Sequence, residues 1–328
     1  MKRREFITLL RGAAAAWPLT TRAQQGSGMR RIGVLMGFAE DDSEIKARRA
    51  VFGQELERLG WSEGRNVHVD YRFAAENDNE IQALANDLVA LKPDVILAHT
   101  TRVTAALQRA SHTIPIVFVN VSDPIGGGFI ANMARPGGNL TGVLHYEEGI
   151  AGKWLAMLKE IAPRLTRAAL VMNPVGSYDY FLRITQALAP SLGIELVPSP
   201  TKTAADIERV IESFARASNG GLILPPDAMT AVHRDLIIAL AARHRLPAVY
   251  SARFWVVAGG LMSYGTDQVV MFRQTASYVD RILRGTKPAD LPVQAPTKYE
   301  TTVNLKTAKA LGVDVPPTLM VRADEVIE

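Results

Sequence analysis

Six short stretches gather polar and aromatic side chains immediately after β-rich runs: GFAEDD from Gly37, HTTR from His99, NVSDPIGGG from Asn120, NPVGSYD from Asn173, PPDAMT from Pro225 and SYGTD from Ser263. Thr100 and Thr101 open a helical segment, where unpaired backbone N–H groups and the positive end of the dipole attract an anion such as a carboxylate. The same two residues also suit a plain N-cap. Asp227 either receives a ligand ammonium or caps the helix it begins. Asp123, before Pro124, suits a turn more readily than a contact. Phe38, Tyr178, Tyr180 and Tyr264 offer flat faces to an apolar or aromatic group; Trp255 is a weaker candidate for the same role and suits the core better. An apolar cleft with a few converging polar groups is the chemistry of small-molecule capture.

Other chemistries find less support. Gly126 to Gly128 resemble a phosphate loop, but Phe129 follows where a Lys-Ser/Thr pair should stand. The histidines at 68, 99, 112, 145, 233 and 244 show no metal-ligand spacing, and only His99 falls in one of the six stretches. No G-x-S-x-G elbow occurs, and no nucleophile, base and acid can be assembled. An enzyme is therefore not supported, and neither a metal nor a cofactor is expected.

These stretches need a scaffold that brings them together. β-rich runs alternate with amphipathic helical segments: RRIGVLMGF, then VHVDYRF, then a helix whose Ile81, Leu84, Ala85, Leu88 and Leu91 share one face, then DVILAH and PIVFVNV. Near-continuous apolar runs suit parallel strands covered on both faces, so repeated βαβ units imply a doubly wound α/β sheet. The pattern begins again at LTGVLHY and continues through RAALVMN, GIELVP, GGLILPP and PAVY, which implies a second sheet. The loops after the strands are where ligands of such sheets lie. A late helix from Val269 to Leu283, a Pro-rich connection from Lys287 to Pro296 and KYETTVNL can return to the first half. Chain crossings of that kind make hinges. The expected division is lobe 1 over 30–143 plus about 265–296, and lobe 2 over 144–264 plus about 297–328.

The beginning of the chain stands apart. MKRREFITLLRGAAAAWPLTTRAQQ has paired arginines, a short apolar middle and an A-x-A-like end, so residues 1–23 read as an export signal of the twin-arginine type. The chain has 37 Lys+Arg against 33 Asp+Glu, and the leader's five basic residues against Glu5 account for the whole excess. The remainder is neutral, which argues against nucleic acid as a partner. With no cysteine, the exported chain has neither disulfides nor a lipidated anchor, and a soluble periplasmic protein is expected.

Five long stretches carry a family resemblance: SDPIGGGFIANMARPGGNLTGV, LAARHRLPAVY, AGGLMSYGTD, VDRILRGTKPADLPVQAPTKYETTVNLKTAKALG and the ending RADEVIE. They resemble the ABC transporter substrate-binding protein family, whose members include tryptophan- and other aromatic amino-acid-type binders on the type I periplasmic binding fold. The resemblance implies a two-lobed receptor, a small-molecule solute held between the lobes, and an ABC permease with its ATPase as partners. Membrane contact would come only through the permease. It also implies a carboxylate site at Thr100 and Thr101 with the Ser122–Asp123 loop, and contributions from Asn173, Asp227 and the loop around Tyr264 in the far lobe. Many members have a Gly-rich turn where this chain has His99-Thr100-Thr101-Arg102; Arg102 can pair a second carboxylate or face solvent. Tyr178, in NPVGSYD, is not a residue type fixed in the family.

A repressor with the same core would need a helix-turn-helix where the leader stands. An exported α/β enzyme acting on a small carboxylate is the alternative, since fold alone does not fix function. The identity of the solute is not encoded in any of these motifs.

Overall fold

The computed structural model describes residues 28–74, 78–147 and 149–328, so the expected leader lies outside the described residues. The first sheet consists of β1 (Arg30–Met36), β2 (Val67–Phe73), β3 (Val95–His99), β4 (Ile116–Val121) and β5 (Leu140–Leu144), all parallel, in the order β2-β1-β3-β4-β5. β3 and β4 are buried along their whole length, which is why VILAH and IVFVNV are so nearly free of polar side chains. Helices α1 (Ser43–Arg58), α2 (Asp78–Ala90) and α3 (Thr101–Ala110) connect them. Asp42 caps α1, its carboxylate accepting from the Glu44 and Ile45 N–H groups.

LTGVLHY does not open the second sheet, as the restarted pattern suggested; it supplies β5, the fifth strand of the first. The approach to β4 is close. A Cβ at Gly142 would lie 2.1 Å from the Phe118 carbonyl oxygen, so no side chain fits there.

The second sheet follows the chain through α4 (Ile150–Ile161), β6 (Arg167–Met172), α5 (Tyr178–Leu188), β7 (Glu195–Pro200), α6 (Ala204–Ala215) and β8 (Gly220–Leu224). Two helices, α7 (Ala228–Val232) and α8 (Arg234–Arg243), lead to β9 (Ala248–Tyr250), and α9 (Arg253–Val257) leads to β10 (Met262–Thr266). The chain then leaves. Helix α10 (Gln268–Leu283) packs back on the first sheet, where Met271, Phe272, Ala276 and Val279 share a core with Val34, Met36, Leu97 and Val117. Gln294 pairs with β5, accepting from Leu144 N and donating to Gly142 O.

The chain returns as β11 (Tyr299–Asn304), then α11 (Leu305–Leu311), α12 (Pro317–Arg322) and β12 (Glu325–Ile327), completing the order β12-β11-β10-β9-β8-β6-β7. β11 is antiparallel to β10, an exception to the uniformly parallel sheets expected. It enters straight from the crossing without a covering helix, and antiparallel pairing needs none.

The fold is thus two α/β lobes, joined where the chain passes between Leu144 and Ile150, between Thr266 and Gln268, and between Gln294 and Tyr299. The three passages are tied to one another. Lys298 Nζ donates to Asp267 Oδ2 at 2.8 Å, and Glu147 N donates to the Tyr299 hydroxyl at 3.1 Å.

Candidate functional site

The loops after β1, β3 and β4 face those after β6, β8 and β9, and a cleft of about 710 Å³, part of it open to solvent, lies between them. The position matches the rule for parallel sheets, whose ligands lie beyond the carboxyl ends of the strands.

Gly37, His99 and Thr100 form one wall through an unusually close backbone approach. A Cβ at Gly37 would sit 2.8 Å from Thr100 Oγ1 and 3.1 Å from His99 O. Thr100 itself has φ 87°, a conformation a β-branched residue adopts only under constraint. Although it stands at the N-cap of α3, its side chain makes no capping hydrogen bond. The plain-cap reading therefore fails for Thr100, and the start of α3 opens on the cleft.

Asp227 acts as the cap that one of its two expected readings describes, and its position leaves the other open. It caps α7, its Oδ2 accepting from Thr230 N at 2.9 Å and from Asn173 N at 3.4 Å, and it also lines the cleft. Burial raises its carboxyl above the ordinary aspartate range, against the opposing effect of the N–H groups that point at it.

Deeper in the cleft stands a cluster around Arg48, which is 6% exposed. Its Nη1 is 3.3 Å from His99 Nε2, and Asn120 Nδ2 lies 3.1 Å from the same nitrogen. A guanidinium cannot accept, so Nε2 presents its lone pair and His99 is neutral. Burial, reinforced by the Arg48 charge, pushes His99 well below the usual histidine value and His145 down to about 3. The Tyr146 hydroxyl donates to Ser251 O at 2.6 Å, and burial pushes that phenol upward. Asn120 also donates to Gln268 Oε1 at 2.9 Å, so the first residue of α10 belongs to the site.

The two lobes touch across the cleft. Thr101 Oγ1 and Ser177 Oγ are 3.1 Å apart, Arg234 Nη1 reaches Asp42 Oδ2 at 3.5 Å, and Phe38 packs against apolar clusters of both lobes.

Of the nine residues expected to bind, Phe38, Thr100, Thr101, Ser122 and Asp227 line the cleft. Asn173 lies just behind it, with its N–H on Asp227 and its Oδ1 lacking a hydrogen-bond partner. The structure places three elsewhere. Asp123 turns into its own loop, accepting from Gly126 N at 2.8 Å, as a turn residue does. Tyr178 is buried in the core of the second lobe. Tyr264 lies inside β10 and stacks on Tyr299, with ring centroids 5.4 Å apart, in a separate depression beside Lys153 and Asp324. Tyr180 packs edge-on against Phe181. His99 and Arg102 both line the cleft, and Arg102 pairs with Asp78 at 2.7 Å.

Sequence reasoning missed Arg48, His145, Tyr146, Phe254 and Gln268, gave Asn120 only as the start of a strand-end loop, and held Trp255 as a weaker candidate that suited the core better. Trp255 is buried, stacks on Tyr250 at 4.9 Å, and still forms part of the wall. Arg48 had a visible signal. It occupies the apolar stripe of α1, in line with Ile45, Phe52 and Leu56, where an arginine needs a reason.

Among the described residues no helix is long and apolar enough to cross a membrane, and no group of three or more acidic or histidine side chains is placed to hold a metal ion. A tyrosine-binding protein of Clostridioides difficile is 25% identical over 276 residues, 84% of this chain and 79% of that protein. The crystal structure of a conserved domain protein from Vibrio cholerae superimposes with a TM-score of 0.86 at 27% identity, covering 91% of this chain and all of that one. An ABC domain from Streptococcus pneumoniae in complex with L-Trp gives 0.85 at 22% identity, over 92% of this chain and all of its own. The latter likeness speaks for the fold. The family model for ABC transporter substrate binding proteins, which bind small molecules and are not enzymes, matches residues 31–327, and the chain belongs to that family.

Proposed function

We propose that the protein is the periplasmic solute-binding component of an ABC importer. It captures an amino acid or related small carboxylate, aromatic in its side chain, between the two lobes and delivers it to the permease and its ATPase. The leader over residues 1–23 would direct export, and closure would run about the three crossings.

One observation carries this reading. The uncapped start of α3 and the carboxylate of Asp227 line the same cleft from opposite lobes, beside Phe38, Tyr146, Phe254 and Trp255. The helix start suits a carboxylate, Asp227 suits an ammonium, and the rings suit a flat side chain. The relatives that bind tyrosine and hold L-Trp point the same way.

The test is native mass spectrometry of the purified protein for a co-purified solute, followed by a thermal-shift panel of amino acids and aromatic carboxylates. A true ligand at a hundred times its Kd adds about 2.7 kcal/mol of stability, a plainly raised Tm. A panel that shifts nothing, or a compound that is consumed, would sink the receptor reading.

A further inference from the structure

The passage from β10 into α10 is a single residue. Thr266 closes β10 and pairs with Tyr299 in the second lobe, and Gln268 opens α10, whose Met271, Phe272 and Val279 are packed in the core of the first. Asp267 alone lies between them, so turning one lobe against the other changes the backbone angles at this point and moves Thr266 relative to the first lobe. The Asp267 carboxylate is already committed, accepting from the Val269 and Val270 N–H groups and from Lys298.

The Gln268 side chain spans this pivot. Its Nε2 donates backwards to Thr266 Oγ1 at 3.1 Å, and its Oε1 accepts from Asn120 Nδ2 at 2.9 Å. One amide thus joins the last residue of β10 in the second lobe to β4 in the first. Asn120 is aimed there by an irregular backbone: the pairing of β4 with β5 shifts register between Val119 and Val121, and Asn120 stands in the shift with φ 60°. Bulges re-aim side chains in this way, and asparagine tolerates the left-handed conformation better than most residues. Asn120 and Thr266 are 7% and 5% exposed, so water competes poorly for either bond. The other tie at this pivot, Lys298 to Asp267, is made by an exposed lysine and is weak by comparison.

We infer that Gln268 is a positioning residue that sets the angle between the lobes. Its two bonds hold together only in the arrangement that brings the lobes into contact across the cleft. Gln268 and Asn120 also line that cleft, so a solute seated there bears on the same amide. This rests on the reading of capture by closure given above, and is independent of which solute is held.

Thr266 provides the test because it does not line the cleft. Thr266→Val removes one oxygen at a strand position that suits valine, and Thr266→Ser keeps that oxygen. Stopped flow follows dissociation of the tightest binder among L-tyrosine, L-tryptophan and L-phenylalanine. The rate should be about two- to tenfold faster in Thr266→Val, the loss of one buried hydrogen bond, with association within about twofold of wild type. Thr266→Ser should dissociate as wild type does. On a Gln268→Ala background, Thr266→Val should change the rate by less than about twofold. The chain has no cysteine, so one introduced on each lobe can carry a nitroxide. The distance between the labels should spread to longer values in Thr266→Val and in Gln268→Ala, but not in Thr266→Ser. A merely structural loss would lower Tm and move neither readout. Unchanged rates and distances in Thr266→Val, or an equal effect of that change with and without Gln268, overturn the inference and leave capture of an amino acid standing. If none of the three compounds binds, the amino-acid reading fails and the label distances alone decide on Gln268.

Discussion

Replacing Asp227 by asparagine isolates the charge of that carboxylate from its structural duty. Asparagine keeps an oxygen that can accept from Thr230 N, now 2.9 Å from Asp227 Oδ2, so the cap of α7 survives. What disappears is the negative charge available to a ligand ammonium. Removing one partner of a desolvated charge pair costs about 2–4 kcal/mol, so the Kd of the best amino acid should rise about 30- to 700-fold. The proton linkage adds a second signature. Because burial lifts the Asp227 carboxyl, its ionised form is lost on acidification earlier than for an ordinary aspartate. Wild-type affinity should therefore fall as pH drops through that raised value, and the variant should lack the slope. In the free protein the sign is opposite. The stability linked to this proton is present below the ordinary aspartate range and is lost as pH rises through the raised value, so the variant should be no less stable than wild type at neutral pH. Titration calorimetry across pH with matched melting curves reads all three. A Kd within about threefold of wild type, well short of the range above, would refute the role given to Asp227.

Arg234→Gln removes the bridge to Asp42, which is 26% and 14% exposed at its two ends. A contact of that kind is worth about 0.5–1 kcal/mol, so ligand affinity should drop about two- to fivefold, with small-angle scattering showing a larger mean radius without ligand. Gly37→Ala drives a methyl to within 2.8 Å of Thr100 Oγ1. The expected cost is about 1–3 kcal/mol in urea unfolding together with loss of binding, whereas an unchanged Kd would show the wall to be pliant. His99 and His145 should show no imidazole titration in NMR spectra between about pH 8 and 5.5, since both bind protons more weakly folded than unfolded. Stability should accordingly be full above about pH 6.5 and fall on acidification below it, by up to about 1.4 kcal/mol per pH unit for each group.

The two sheets were legible because apolar runs such as VILAH and IVFVNV have one comfortable home, a strand covered on both faces. The direction of β11 was not, since alternation in YETTVN reads the same along either direction of pairing. Phe38, Thr100, Thr101, Ser122 and Asp227 were found because strand-end loops converge in this architecture. Tyr264 looked like a loop residue. It is a mid-strand one, paired with Thr301, and the alternation of β10 sends it to the face opposite Gly265, whose Cβ would strike Ser251 O. Tyr178 lies in the first turn of α5, where helical rotation turns it into the core. Asn120, His145 and Gln268 meet at the passages between lobes, and no local spacing brings positions 148 residues apart together.

Helix α10 also governs the order in which the molecule can be finished. Phe272, Val279 and Leu291 seal the hydrophobic side of a sheet whose last strand ended at Leu144. A ribosome must therefore make most of the second half before the first can close over its greasy interior. Until then Val34, Met36 and Val117 have only Ile45, Phe52 and Leu56 of α1 to cover them, and any chain cut short before Gln268 carries the rest of that surface bare into solution.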